Sequence, residues 1–289
     1  MNDKIAIHPK TNKTISLLIS KPVGSILIVG AVGSGKNAVA TKIALKLMPK
    51  ISTSLDNYPY FMLIKRREDK QEISIEAIRE IIEFIKLKVP GSGLRRTILI
   101  ENAQLLSHEA QNALLKILEE PQEDTIFILT TPYEQSLLPT IVSRCQKIKI
   151  YPVTKKQASD FYKGKISPAE LESAWRLSRG LASLLDSLVN KSDTHPLRQA
   201  VEKSKQFLAK PKAERIQLIN GLSREEMKLF LDALAKVLAA LYYSAQQNSK
   251  PTAKKLLTDR NVVQQVIQAY ELNANQRLSN LKLLTGINI

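Results

Sequence analysis

RRTILIENAQLLSHEAQNALLKILEEPQEDTIFILTTPYEQSLLPTIVSRC, residues 95–145, decides the fold. Residues 97–100 and 125–130 are short, almost wholly apolar runs bounded by charged or turn residues, the pattern of strands covered on both faces of a parallel sheet. The segment between them predicts one helix. Ser107 suits its N-cap, Glu109 its first turn, and Ala110, Ala113, Leu114, Ile117 and Leu118 form an apolar stripe that Pro121 brings to a stop. A second, shorter helix ends in Ser143-Arg144-Cys145. Together these make a βαβ unit whose strand ends present polar residues on one edge of a sheet.

Upstream, residues 25–29 (SILIV) form another strand-like run, followed by GAVGSGKN at 30–37 and a helical pattern at 38–48 that Pro49 stops. Residues 60–64 read as a further strand, Ile75, Ile78, Ile81, Ile82 and Ile85 mark an amphipathic helix, and residues 90–93 (PGSG) a turn. Residues 1–25, polar with an apolar patch at 15–19, are expected to lead into the first strand. Downstream, residues 147–151 alternate polar and apolar as a strand near a sheet edge does, and Pro152 closes an α/β portion.

From Val153 on, helical periods take over. Residues 155–163, 168–178 and 181–189 predict three short helices, and residues 191–196 a linker. Helices follow at 197–209, 212–220, from the capping box Ser223-Arg-Glu-Glu226 to Gln246, and at 261–271 and 275–284. The expected organisation is α/β followed by all-α, with boundaries at 1–152, 153–192 and 193–289.

The 289 residues carry 44% hydrophobic and 24% charged residues, a globular composition, but 43 Lys and Arg against 27 Asp and Glu give a net +16. That imbalance favours a polyanionic partner such as nucleic acid. A single cysteine, Cys145, excludes an internal disulfide framework and a Cys-rich zinc site. No stretch approaches the roughly 18 apolar residues of a membrane span, so a cytoplasmic location and no membrane partner are expected. Basic clusters at Lys65-Arg66-Arg67, Arg95-Arg96 and residues 147–156 suit phosphate contacts rather than base reading.

Residues 30–37 match the phosphate loop G-x-x-x-x-G-K-[ST] in all but the last position. Backbone N–H groups around Gly30, Gly33 and Gly35, the following helix N-terminus and the Lys36 ammonium are what a phosphate requires. Asn37 stands where a hydroxyl would bind Mg²⁺. The strand after it in this logic ends Ile100-Glu101-Asn102. Glu101 occupies a metal-side position normally held by Asp, and Asn102, where a carboxylate would activate water, cannot accept a proton. Nucleotide binding is compatible with these residues; hydrolysis is not expected. His8, His108 and His195 lie scattered in polar contexts and read as surface or turn residues.

EAQNALLKILEEP at 109–121, TIFILTT at 125–131, LLPTIVSRCQ at 137–146 and NANQRLSNLKLL at 273–284 together resemble the clamp-loader AAA+ subunits of bacterial DNA polymerase III, most of all the delta-prime type. The gamma/tau ATPase subunit and replication factor C subunits are more distant relatives. The resemblance implies a RecA-like AAA+ domain, a small helical lid and a helical collar joining five subunits in a ring. It implies that Arg144, in Ser143-Arg144-Cys145, reaches the nucleotide of a neighbouring subunit, as an arginine finger acting in trans. It places Thr130 or Thr131 at the γ-phosphate sensor, and Ser183, with Arg179 nearby, where active relatives keep a lid arginine. It further implies ATP or ADP bound without hydrolysis, no zinc, and as partners gamma/tau-like and delta-like subunits of a hetero-pentamer, the sliding clamp and primer-template DNA. Two alternatives stay open: a gamma/tau-like ATPase using Lys36 and Glu101, and a stand-alone DNA-binding AAA+ protein.

Overall fold

The computed structural model describes residues 5–48, 55, 57–87, 89, 95–249 and 251–289, so the helix stop expected at Pro49 and the turn at residues 90–93 lie outside the described residues. The chain divides into two compact units, residues 1–154 and 155–289.

The first unit is built on a parallel five-stranded sheet in the order β2-β3-β4-β1-β5. Its strands are β1 (Ser25–Val29), β2 (Phe61–Ile64), β3 (Arg96–Ile100), β4 (Thr125–Thr131) and β5 (Gln146–Lys149). The three central strands are apolar nearly throughout because helices cover both faces. Ile26, Ile28, Leu99, Ile126 and Ile128 pack with α1 (Pro9–Ser20) and α2 (Lys36–Leu47). Leu27, Ile98, Ile100, Phe127 and Leu129 turn the other way, onto α3 (Ile75–Lys86), α4 (His108–Glu119) and α5 (Pro139–Arg144). Ser107 caps α4 by accepting from the Ala110 N–H at 3.2 Å.

Two expectations change here. Residues 9–20 form a helix rather than a lead into β1: Pro9 starts it, His8 caps it by accepting from the Lys10 N–H, and only Thr11, Ile15 and Leu18 are buried. Arg96, grouped with Arg95 as a candidate phosphate contact, is fully buried. Its guanidinium donates to Gln122, Thr125 and the Leu87 carbonyl, pairs with Asp124, and lies over the Phe84 ring. It fastens the end of α3 to the starts of β3 and β4.

The second unit is helical: α6 (Lys155–Phe161), α7 (Pro168–Ser178), α8 (Ala182–Val189), α9 (Pro196–Ala209), α10 (Lys212–Ile219), α11 (Arg224–Gln247), α12 (Thr252–Glu271) and α13 (Gln276–Gly286). Capping boxes at Ser167/Glu170 and Ser223/Glu226 start α7 and α11. Leu177 and Leu184 share a core with Leu197, Val201 and Val237, so the short helices pack directly on α9 and α11. A second core around Phe207, Phe230 and Tyr270 holds α9 to α13. α12 starts nine residues before the expected helix because its first turns bury few residues, among them Leu256 and Asp259. No helix among the described residues is long and apolar enough to cross a membrane.

Candidate functional site

In a parallel sheet every strand end of one kind lies on one edge. Gly30 follows β1, Glu101 follows β3 and Thr130 lies near the end of β4, so these residues meet at the C-terminal edge. Gly30 is required by close approach: a Cβ there would lie 2.6 Å from Ser34 Oγ and 2.9 Å from Ile150 Cβ. Gly33 and Gly35 have φ of 81° and 87°, the left-handed region open to glycine. Gly35 caps α2 without a side-chain hydrogen bond, and the first turn of α2 has no acidic residue. The helix therefore offers its N-terminal donors and positive dipole end to the loop uncompensated.

Lys36 is only 8% exposed and makes no ion pair among the described residues. Burial holds its ammonium below the usual lysine value, with the Glu101 charge acting in the opposite sense. Burial likewise raises the Glu101 carboxyl, against the pull of Lys65 and Lys36. Ser34 Oγ is buried without a hydrogen-bond partner. Lys65, named in the sequence only as part of a basic cluster, thus acts on Glu101 from the end of β2, and Ser34 is a site residue that the glycine-loop pattern, which leaves its position unspecified, does not announce.

Asn37, Thr130 and Asn102 form one chain of hydrogen bonds. The Asn102 N–H donates to Thr130 Oγ1 at 2.9 Å, and that hydroxyl donates to Asn37 Oδ1 at 3.0 Å. Asn102 adopts φ 53°, ψ 54°, a left-handed conformation that Asn tolerates better than most residues. Thr131 turns elsewhere, donating to the Tyr133 carbonyl. Of the two threonines, Thr130 is thus the one joined to the loop helix. The donor set fits a polyphosphate: glycine backbone, an uncompensated helix N-terminus, a buried lysine. At position 37 it offers no hydroxyl to a magnesium ion, and the amide oxygen there is turned to the Thr130 hydroxyl.

Arg144 lies elsewhere. α5 runs back from β4 and delivers Arg144 just before β5, at the N-terminal edge of the sheet. β1 has five residues, which at ~3.3 Å per residue separates the two edges by roughly 16 Å. The α5 N-terminus is fixed by the buried Gln111, whose Oε1 accepts from the Leu138 N–H at 2.9 Å. Arg144 donates to the Thr140 carbonyl at 3.1 Å and to Glu119 Oε1 at 2.6 Å, with both charged side chains substantially exposed (34% and 45%). Cys145 is buried among apolar side chains, which pushes its thiol up to about 11 and keeps it neutral and unreactive.

In the second unit, Arg179 is the left-handed C-cap of α7, and Ser183 shares a hydrogen bond with His195 Nε2 at 3.0 Å. His195 is half-buried, and desolvation lowers its pKa.

Residues 16–154 match the family described as "DNA polymerase III, delta subunit". The delta-prime subunit of Pseudomonas aeruginosa is 28% identical over 200 residues, 63% of this chain and 60% of that protein. The Escherichia coli delta-prime subunit is 27% identical over 63% of this chain and 54% of its own length. The matched stretches thus span less than two thirds of these relatives. A DNA polymerase III gamma subunit from Buchnera aphidicola is 24% identical over 89% of this chain and 80% of that protein. Among solved structures, a gamma-subunit-related protein of Thermotoga maritima superposes with a TM-score of 0.54 at 19% identity, covering 96% of this chain and 97% of the other, a likeness of fold. In sequence the chain is thus similar to the delta-prime subunits of DNA polymerase III and, less closely, to a gamma subunit.

Proposed function

We propose that this protein is a clamp-loader subunit that hydrolyses no nucleotide itself and supplies Arg144 to the ATP site of an adjacent subunit. The observation that carries the reading is the placement of Arg144 on the sheet edge opposite its own phosphate loop. From there it cannot serve that loop, while α5 holds it at the surface for a partner. A guanidinium offers a planar fork of donors to phosphate oxygens and neutralises charge developing in phosphoryl transfer. Its present partner, Glu119, is an exposed carboxylate. Such pairs contribute about 0–1 kcal/mol, so exchanging Glu119 for a phosphate is inexpensive.

The same reading makes gamma/tau-like and delta-like subunits its neighbours in a hetero-pentameric ring, with the sliding clamp and primer-template DNA as the ring's substrates. The net charge of +16 supports proximity to DNA. The phosphate loop retains ATP or ADP without turning it over, since Asn102 offers no general base. Reconstitution with gamma-like and delta-like subunits tests the assignment. Arg144→Ala is expected to abolish efficient clamp loading while the ring still assembles, and undiminished loading overturns the finger role.

A second reading, a gamma-like ATPase, draws on the buried Lys36 with Glu101 near it and on the long match to a gamma subunit. It requires robust Mg²⁺-dependent turnover by the isolated protein that Lys36→Ala removes.

A further inference from the structure

We propose that the phosphate loop binds a nucleoside polyphosphate without a divalent cation, and that Asn37, held by Thr130, takes the cation's place as a hydrogen-bond donor. This rests on the reading of a non-hydrolysing subunit and specifies what its own site does. A carboxamide has one acceptor and one donor end. The Oδ1 of Asn37 accepts from the Thr130 hydroxyl at 3.0 Å, which fixes the identity of the two ends. Thr130 is fully buried at the end of a central strand, and its oxygen is itself oriented by the Asn102 N–H at 2.9 Å. In this arrangement the hydroxyl gives its proton to Asn37. The group left to the site at position 37 is Nδ2, which has no partner among the described residues and carries two hydrogens.

A donor at that position favours bare phosphate oxygen and disfavours a cation. A hydroxyl there would do the reverse, lending a lone pair to a metal ion. Other features of the loop point the same way. Ser34 Oγ, 3% exposed, has no hydrogen-bond partner, and Lys36, 8% exposed, has no ion-pair partner among the described residues. Both are buried polar groups of the kind that an anion in the loop would satisfy. The N-terminus of α2, lacking any side-chain cap, adds backbone donors and a positive dipole end. Without the Thr130 bond the amide could rotate and offer its oxygen, so Thr130 acts as a positioning residue, and its role is to exclude the metal-binding orientation.

ADP is the probe, with binding to the full chain measured calorimetrically in Mg²⁺ and in EDTA. The expected result is a Kd that changes less than twofold between the two. Asn37→Thr, which replaces the donor by a hydroxyl, is expected to make binding at least tenfold tighter in Mg²⁺ than in EDTA. Thr130→Val should weaken metal-free binding about fivefold and introduce Mg²⁺ dependence, whereas Thr130→Ser, which keeps the hydroxyl, should behave as the natural protein. A purely structural role for Thr130 would weaken binding equally in both buffers and would overturn its assignment. Tenfold tighter binding of the natural protein in Mg²⁺, or no ADP binding in either buffer, overturns the proposal. Neither result touches the Arg144 assay, so the two readings fail separately.

Discussion

The two ends of residues 95–145 solve opposite problems with similar chemistry. At the beginning, Glu101 and Asn102 follow β3 into a partly buried site where the Asn102 N–H donates to Thr130 and the Thr130 hydroxyl to Asn37. At the end, Arg144 stands at the surface on the other edge of the sheet, held by one exposed carboxylate and one helix carbonyl. The first arrangement is fixed by buried hydrogen bonds, and the second is loosely held and open to exchange. A parallel βαβαβ path places them so, because each helix carries the chain back to the edge where the previous strand began. A single stretch of chain can thus set a buried polar network on one edge of the sheet and an exposed charge on the other.

The largest expected effect falls on the open end. Arg144→Ala should reduce turnover in a reconstituted ring by about 10³-fold or more, the range for arginine fingers. Arg96 fastens the start of the whole stretch, and Arg96→Ala is expected to cost about 3 kcal/mol of stability by leaving Gln122, Thr125 and the Leu87 carbonyl without their buried donor. A denaturant titration of that variant should show both ends lost together, which separates a folding defect from a functional one. Gly30→Ala forces a Cβ against Ser34 and Ile150, and should cost about 1–3 kcal/mol and weaken ADP binding without altering Arg144-dependent turnover. Ser107→Ala removes the cap of the helix that carries Glu119, and is expected to lower stability by about 1 kcal/mol in thermal unfolding. The smallest effect belongs to Glu119→Gln: stability should change by less than ~1 kcal/mol, and turnover by the ring should be kept or slightly raised. A large loss of turnover there would mean that Glu119 positions the arginine rather than releasing it.

Much of this was legible in the sequence. β1 falls on residues 25–29, β3 and β4 fall on apolar runs, Ser107 and Ser223 cap as read, and β5 lies at the sheet edge. Local signals sufficed because buried parallel strands and capped helices are written in consecutive residues. What escaped depends on distant neighbours. α1 buries few side chains, and one of them, Thr11, is polar and is stabilised by donating to the Lys149 carbonyl. Arg96 reads as surface charge until Gln122, Thr125 and Leu87 surround it. The opening turns of α12 carry Lys254, Lys255 and a buried Asp259 that accepts from the Asn288 N–H, so no apolar period announces them. In the candidate site, the altered positions 37 and 102 were visible, but their connection through Thr130 requires the register of β4 beside β1, which brings residues 93 positions apart into contact. The Glu119 partner of Arg144 is likewise a product of how α4 and α5 pack.

The most direct test of the central claim, that the chemistry served by this chain takes place on a neighbour, is DNA-stimulated ATP turnover by a ring in which this subunit alone is altered. The isolated protein should show negligible turnover, the reconstituted ring robust turnover, and the ring carrying Arg144→Ala a loss of about 10³-fold at unchanged subunit stoichiometry. Full turnover by that ring, or turnover by the isolated protein that depends on its own Lys36, would contradict the account.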